Sequence, residues 1–504
     1  MIFNSLTFIV FFLVVLALHY APFSWRTKRI NLLIASYFFY GAWNPPFLIL
    51  LWVSTIVDFF AARRMSATNN PIVRKLCMLA SLTTNLGLLG YFKYGTFILN
   101  NFVALVNSLG LHYHPATPDI VLPVGISFYS FHTLSYTIDV YRKQLKSDWS
   151  FLNFALYVTF FPQLVAGPIM RAVDFLPQLL KPVRATTAEM GWGLSLIAIG
   201  LFEKVVLGDT LMAPVADHVY SASASAGFLS SWIGTFAFSG QIFFDFAGYS
   251  TCAIGAAMCL GFSLIKNFHY PYAAIGFSDF WRRWHISLST WLRNYLYIPL
   301  GGNKISTERT YANLMLTMLI GGLWHGAAWR FIVWGGLHGS YLVAERLLKT
   351  YAKQRSKLVP VTGNEPSPEV VRAPVGGREE GYIRISLPAF QWFVNAMAAF
   401  STYLLVCVTW VFFRATDLGS ATNLIRAMFG KTIEQIHIGK DELIVLVLTF
   451  LMLCSHFALR NSDLDSVARR MPWWIRSVVL AGILVLLAFY LTRGEERAFI
   501  YFQF

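Results

Sequence analysis

YANLMLTMLIGGLWHGAAW, residues 311–329, contains no Asp, Glu, Lys or Arg and one histidine, His325. A helix needs about 20 apolar residues to cross a bilayer, so this run reads as a membrane helix with an imidazole inside it. His325 lies fourteen residues after Tyr311, roughly 21 Å along a helix. Gly321, Gly322, Gly326, Ala327 and Ala328 surround it. Small residues let other helices approach closely, or leave room for a ligand beside the ring. A neutral histidine can act as a general base toward a hydroxyl. The structural alternative is a packed histidine that hydrogen-bonds to a neighbouring helix.

The rest of the chain repeats this pattern. Charge-free runs also cover 1–25, 151–170, 218–244, 246–265, 385–413, 443–459 and 477–492. Of the 504 residues, 56% are hydrophobic and only 13% charged, too few for the surface of a soluble protein this size. The expectation is an all-α, polytopic membrane protein with about ten to twelve transmembrane or re-entrant helices. The alternating strands of a β-barrel are absent.

A net charge of +15 raises the question of nucleic acid, but the placement of the charges argues against it. They cluster in short loops: Arg26, Lys28 and Arg29; Arg63, Arg64, Arg74 and Lys75; Arg142, Lys143 and Lys146; and Arg346, Lys349, Lys353, Arg355 and Lys357. This is the positive-inside pattern, which places those loops in the cytoplasm. Residues 30–62 then cross and return, or dip in.

Cys77, Cys252, Cys259, Cys407 and Cys454 stand singly in apolar stretches. No metal-ligand spacing appears, so buried thiols are expected and no metal site. The first run lacks a basic leader and a small-residue cleavage site, and is expected to be a retained span. Residues 351–384, rich in Pro, Gly and charge, read as a flexible cytoplasmic loop within a single membrane domain, 1–504. Final spans are expected near 388–413, 441–460 and 473–492.

Residues 266–310 differ. On one helix, Phe277, Phe280, Trp281, Trp284, Leu288, Trp291, Leu292 and Tyr295 share a face, with Asp279, Arg282, Arg283, Ser289 and Arg293 largely opposite. That predicts an interfacial amphipathic helix, its basic side toward headgroups or an anionic ligand. His285 lies within it. Elsewhere His338 echoes the glycine setting of His325, His132 suits a packed contact, and His112 and His114 suit an external loop. Asp245 and Asp139 interrupt apolar runs. An unpaired carboxylate in hydrocarbon costs several kcal/mol, so both are expected to face the interior, with a structural ion pair favoured over catalysis. PQLVAGPIMR (162–171) suits a re-entrant loop.

No P-loop, GxGxxG or GxSxG occurs. Seven segments together resemble the membrane-bound O-acyltransferase family, in its bacterial exopolysaccharide branch. They are LPVGISFYSFHTLSYTIDVYR, FFPQLVAGPIMR, FFDFAGYS, NFHYPY, FSDFWRRWHISLSTWLRNYLYIPLGGN, GGLWHGAAW and FIYFQF. The length and VTWVFFRA look more like the alginate-acetylating members than the shorter D-alanine-transferring ones.

The resemblance implies a helical bundle around a funnel or tunnel in the bacterial inner membrane. It implies that His325 is catalytic and that His285 is the second recurrent polar position. The donor would be a cytoplasmic thioester, acetyl-CoA or an acyl carrier, with no permanently bound cofactor. The acceptor hydroxyl would lie outside, reached directly or through a periplasmic acetyltransferase partner. Arg282, Arg283 and Arg293 could receive donor phosphates or anchor to membrane lipids. Two other classes are a transporter of lipid-linked sugar, which the absence of internal repeats disfavours, and a scaffold of a polymer-export complex.

Overall fold

The computed structural model describes residues 1–116, 118–165, 167–358, 388–430, 438–491, 497, 499 and 500. Residues 359–384 of the expected cytoplasmic loop, and residues 501–504 of the FIYFQF ending, lie outside them. The described residues form helices and connecting segments, without strands. Seven helical stretches are long and apolar enough to cross a membrane: 45–66, 71–92, 187–221, 228–259, 390–414, 440–459 and 473–491.

The expected final spans appear as α17 (Pro388–Arg414), α19 (Lys440–Leu459) and α21 (Trp473–Leu491). Residues 30–62 turn back on themselves in α2 (Trp25–Gly41) and α3 (Leu48–Ser66); the second of these lies in a stretch long and apolar enough to cross, whereas the 17-residue α2 does not. The first apolar run makes only the short α1 (Leu6–Tyr20).

Charge-free runs and helices do not correspond one to one. The runs on either side of Asp245 fuse into one helix, α12 (Phe228–Cys259). The run 151–170 divides into α7 (Phe151–Thr159), α8 (Phe161–Leu164) and an extended buried stretch. The run 311–329 breaks as well. Its helix, α15 (Thr307–His325), stops at His325, Gly326 is extended, and α16 (Trp329–Leu358) turns back. The expected amphipathic helix is likewise two, α13 (Phe277–Arg283) and α14 (Ile286–Leu292), with His285 between them in a left-handed conformation (φ 44°).

α12 is the central post. It is buried along most of its length and contributes to the two large apolar clusters of the bundle. α21, with only Leu487 buried, lies at the periphery. Asp245 sits mid-way along α12 and must be neutralised there. Lys204 does this: its Nζ is 2.5 Å from Asp245 and 3.0 Å from Asp209. Lys204 belongs to a π-helical segment, Phe202–Met212, between α10 (Thr187–Leu201) and α11 (Ala213–Ser221). The other Asp245 oxygen accepts the Ile500 N–H at 2.7 Å. Asp139, on α6 (Ile126–Tyr141), accepts from Arg171 at 2.8 Å and from the Tyr295 hydroxyl at 2.9 Å. Both carboxylates are thus structural, as expected.

Several basic residues sit where helices end. Arg74, in α4 (Pro71–Phe92), donates to the carbonyls of Met65, Val140 and Tyr141, which terminate α3 and α6. A cation at helix C-termini complements their negative dipole ends.

The α15–α16 hairpin is packed at backbone distance. A Cβ on Gly322 would lie 2.2 Å from the Phe331 carbonyl oxygen, and one on Gly335 would lie 2.3 Å from that of Met318. A methyl group there must push the helices apart, at a cost of about 1–3 kcal/mol. Gly322→Ala is therefore expected to lower the melting temperature of the purified protein. Gly336→Ala, whose new methyl meets only a Leu319 side chain at 3.6 Å, should leave it nearly unchanged.

Candidate active site

A helix that stops leaves its last four carbonyls without partners inside it. In α15 these include Leu323, Trp324 and His325. The segment after α4 supplies the donors. Lys93 Nζ donates to the Trp324 carbonyl at 2.6 Å and lies 3.3 Å from that of His325. The Tyr94 hydroxyl donates to the Leu323 carbonyl at 2.9 Å. A buried helix end is thereby satisfied, and the histidine on its last turn is fixed. A Cβ on Gly326 would collide with the Phe331 ring, so only glycine allows the chain to leave the helix here.

The His325 ring is buried among aromatics. Trp324 and Trp334 lie 5.0 Å away between ring centroids, and Phe413 5.2 Å. His285 lies near it too, at 6.4 Å. The two histidines, forty residues apart in sequence, meet because each sits at a helix break. His285 is held in its left-handed conformation by Asn267. The Asn267 carbonyl accepts from Ile286 N at 2.9 Å, and its side-chain oxygen accepts from the Ser287 hydroxyl at 2.6 Å. The Asn267 amide in turn donates to Ser250 on α12, 3.2 Å away. Phe246 of α12 packs edge-on to the His285 ring at 4.7 Å. Three of the family-like motifs, FFDFAGYS, NFHYPY and WHISL, therefore converge on one ring.

His325 also lines a narrow open crevice of about 30 Å³, together with Lys93, Ser127, Phe128, Val165 and Trp324. The arginines are placed elsewhere. Arg283 is tied to Asp279 at 3.0 Å and to the Arg460 carbonyl at 2.8 Å. Arg282 is exposed, and so is Arg293, whose Nε donates to Asn294 at 3.1 Å. None of the three lines the crevice. His132 is a packed contact: its Nε2 accepts the Met170 N–H at 3.2 Å. His338 Nε2 pairs with the Thr409 hydroxyl at 3.0 Å. His112 and His114 are exposed.

Lys93, Tyr94 and Asn267 escape a reading of the sequence for chemistry. Lys93 alone left a signal: it is the single charged residue between Lys75 and Asp119.

This is a multi-pass, all-helical membrane protein with two histidines gathered at helix ends beside an open crevice. Residues 112–356 match the model of the membrane-bound O-acyltransferase family. The chain is 38% identical to "Probable alginate O-acetylase AlgI" of Azotobacter vinelandii over 85% of this chain and 78% of that one. It is 36% identical to the Pseudomonas putida protein of the same name over the whole of both chains. It is 32% identical to "Peptidoglycan O-acetyltransferase" of Helicobacter pylori over 100% of this chain and 98% of that one. The chain belongs to the membrane-bound O-acyltransferase family and is an O-acyltransferase.

Replacing Lys93 with Met removes the donor to the α15 carbonyls and loosens the turn that carries His325. A misplacement of about 1 Å in an active site can cost on the order of a hundredfold in rate. Lys93→Met is expected to lower acyl transfer by ten- to a hundredfold on that scale, with Lys93→Arg retaining most of it. Turnover of both variants against the native protein, at matched folding, checks this.

Proposed function

We propose that this protein moves an acetyl group from a cytoplasmic thioester, acetyl-CoA or an acyl carrier, for O-acetylation of a secreted exopolysaccharide of alginate or cellulose type, in the bacterial inner membrane. The observation that carries this reading is the meeting of His325 and His285, 6.4 Å apart, with His325 on the wall of an open crevice.

Sidedness supports it. α4 begins among the basic residues Arg63, Arg64, Arg74 and Lys75, which the positive-inside rule assigns to the cytoplasm. It is 22 residues long, so it spans about 33 Å. Lys93 and the crevice follow its far end, on the side from which an external hydroxyl or a periplasmic acetyltransferase partner would approach. The thioester would come from the opposite side. The names of the relatives, alginate O-acetylase and peptidoglycan O-acetyltransferase, favour acetyl as the group and a glycan as the final acceptor.

In this mechanism His325 takes the proton of an acceptor hydroxyl while its oxygen attacks the thioester carbonyl. The carbon–oxygen bond forms, the carbon–sulfur bond breaks, and the proton passes from the imidazolium to the leaving thiolate. His285 orients the donor or the acceptor against that ring. The aromatic walls of Trp324, Trp334 and Phe413 exclude water, which would otherwise hydrolyse the thioester. Arg282 and Arg293, both exposed, are available to donor phosphates or to lipid headgroups. Arg283 keeps little capacity for either, since Asp279 and a carbonyl occupy it.

The test is acetyl release from labelled acetyl-CoA in reconstituted membranes, with alginate, cellulose and peptidoglycan fragments offered in turn as acceptors. A general base contributes about 10²–10⁴ in rate, so His325→Ala is expected to lose at least a hundredfold on that scale while melting like the native protein. Equal turnover by the two would refute the role given to His325. Label retained by both proteins would point to another donor or a missing partner enzyme.

A further inference from the structure

Lys93 holds the end of α15, but its setting goes beyond that task. It is half-buried and lines the narrow crevice beside His325. Among the described residues no carboxylate pairs with it. Its partners are neutral: the carbonyls of Trp324 and His325 at 2.6 and 3.3 Å, and the Ser127 hydroxyl at 3.4 Å. Its charge reaches the His325 ring. Ile126, Ser127 and Phe128, the first residues of α6, line the same crevice, and a helix N-terminus carries partial positive charge.

A covered ammonium without a counter-charge is costly, and burial pushes the Lys93 amine down to about 7. Satisfying carbonyls does not require a cation: the Tyr94 hydroxyl serves that of Leu323. A fixed cation suits a place where negative charge appears only during the reaction. Acyl transfer creates such a charge. When the hydroxyl oxygen bonds to the thioester carbon, the π electron pair of the carbonyl moves onto the acyl oxygen.

We propose that Lys93 is a further catalytic residue, whose ammonium donates a hydrogen bond to the acyl oxygen as that oxygen becomes negative. This rests on the acyl transfer assigned to His325. The acyl oxygen takes the place of the Ser127 hydroxyl, the longest of the three contacts. The crevice, about 30 Å³, exceeds the roughly 10–15 Å³ that a water-sized oxygen needs. No proton changes hands at Lys93. The electron pair returns to re-form the carbonyl as the carbon–sulfur bond breaks.

Acetyl release from labelled acetyl-CoA by the full-length protein in vesicles, at pH values on both sides of 7, tests this. An amine whose pKa is lowered is charged below that value and loses its proton above it. Native turnover is therefore expected to fall as pH rises through about 7, by about a hundredfold at the limit. Lys93→Arg stays charged and should lack that fall. The other titratable groups near Lys93 do not produce it. His325, with His285 beside it, only loses protons as pH rises, which favours a base, and burial holds the Tyr94 phenol above its usual range. Lys93→Gln, which keeps donors for the α15 carbonyls but no charge, should lose about as much as Lys93→Met. A lysine that only holds the turn gives a different result, since its neutral amine still donates. Native protein and Lys93→Arg would then share one pH profile, and Lys93→Gln would keep most of its turnover; either result overturns the proposal while leaving His325 its role. Equal turnover by the native protein and His325→Ala would instead overturn the reading of His325, and this proposal with it.

Discussion

A helix end buried away from water must find partners for its last carbonyls, and α15 ends in the middle of the aromatic bundle. Lys93 and Tyr94 answer that requirement by donating to three successive carbonyls, those of Leu323, Trp324 and His325. Much else depends on it. If α15 continued past His325, the glycine-lined hairpin with α16 could not close, and the crevice beside His325 would be filled by helix. Lys93 also forms part of the crevice wall beside Trp324 and His325. Its Nζ lies 5.6 Å from the centre of the Trp324 ring, over that aromatic face.

The same economy of partners governs the other polar groups. Asp139, Arg171 and Tyr295 come from three separate segments and satisfy one another. Asp245, Lys204 and Asp209 do so across α12 and the π-helical segment. Breaking a buried pair by removing one partner is strongly destabilising, whereas its presence adds little stability over an apolar pair. These networks are therefore better understood as fixing which helices meet. The first holds the C-terminal end of α6, whose first residues line the crevice, against the segment that follows α14. The second also ties Ile500, near the start of FIYFQF, to the central helix, since its N–H donates to Asp245.

The sequence made the membrane class legible because it rests on composition and on runs of uncharged residues, which are local quantities. The last three spans and the α2–α3 return follow from that alone. The structural ion pairs of Asp139 and Asp245 were legible too, because an unpaired charge in hydrocarbon is too costly to stand alone. The breaks were not legible. Nothing within WRRWHISLS shows that His285 leaves the helix, because the cause is Asn267, eighteen residues earlier. Nothing within GGLWHGAAW except Gly326 shows that α15 ends, because its carbonyls are received by Lys93 and Tyr94 from more than two hundred residues away. The apolar face on 277–295 is real: Phe280, Trp284 and Leu288 are all buried. A helical period survives a two-residue break well enough to hide it.

Those hidden breaks explain why a histidine belongs in the run at all. In mid-helix, an imidazole is flanked by the residues three and four positions away on either side, and its own backbone is fully paired. Only one flank is open to a second reactant. At the last turn of a helix that ends, the following residues leave the axis, and the ring gains an open side while its backbone stays fixed by neighbours. Acyl transfer needs such a position, because donor and acceptor must both reach the same proton acceptor from different directions. His285, at its own break, brings a second ring to that place without adding a charge. Two interruptions of regular structure, each held by hydrogen bonds from distant segments, thus build what one continuous membrane helix could not: two histidines set side by side at the edge of a crevice.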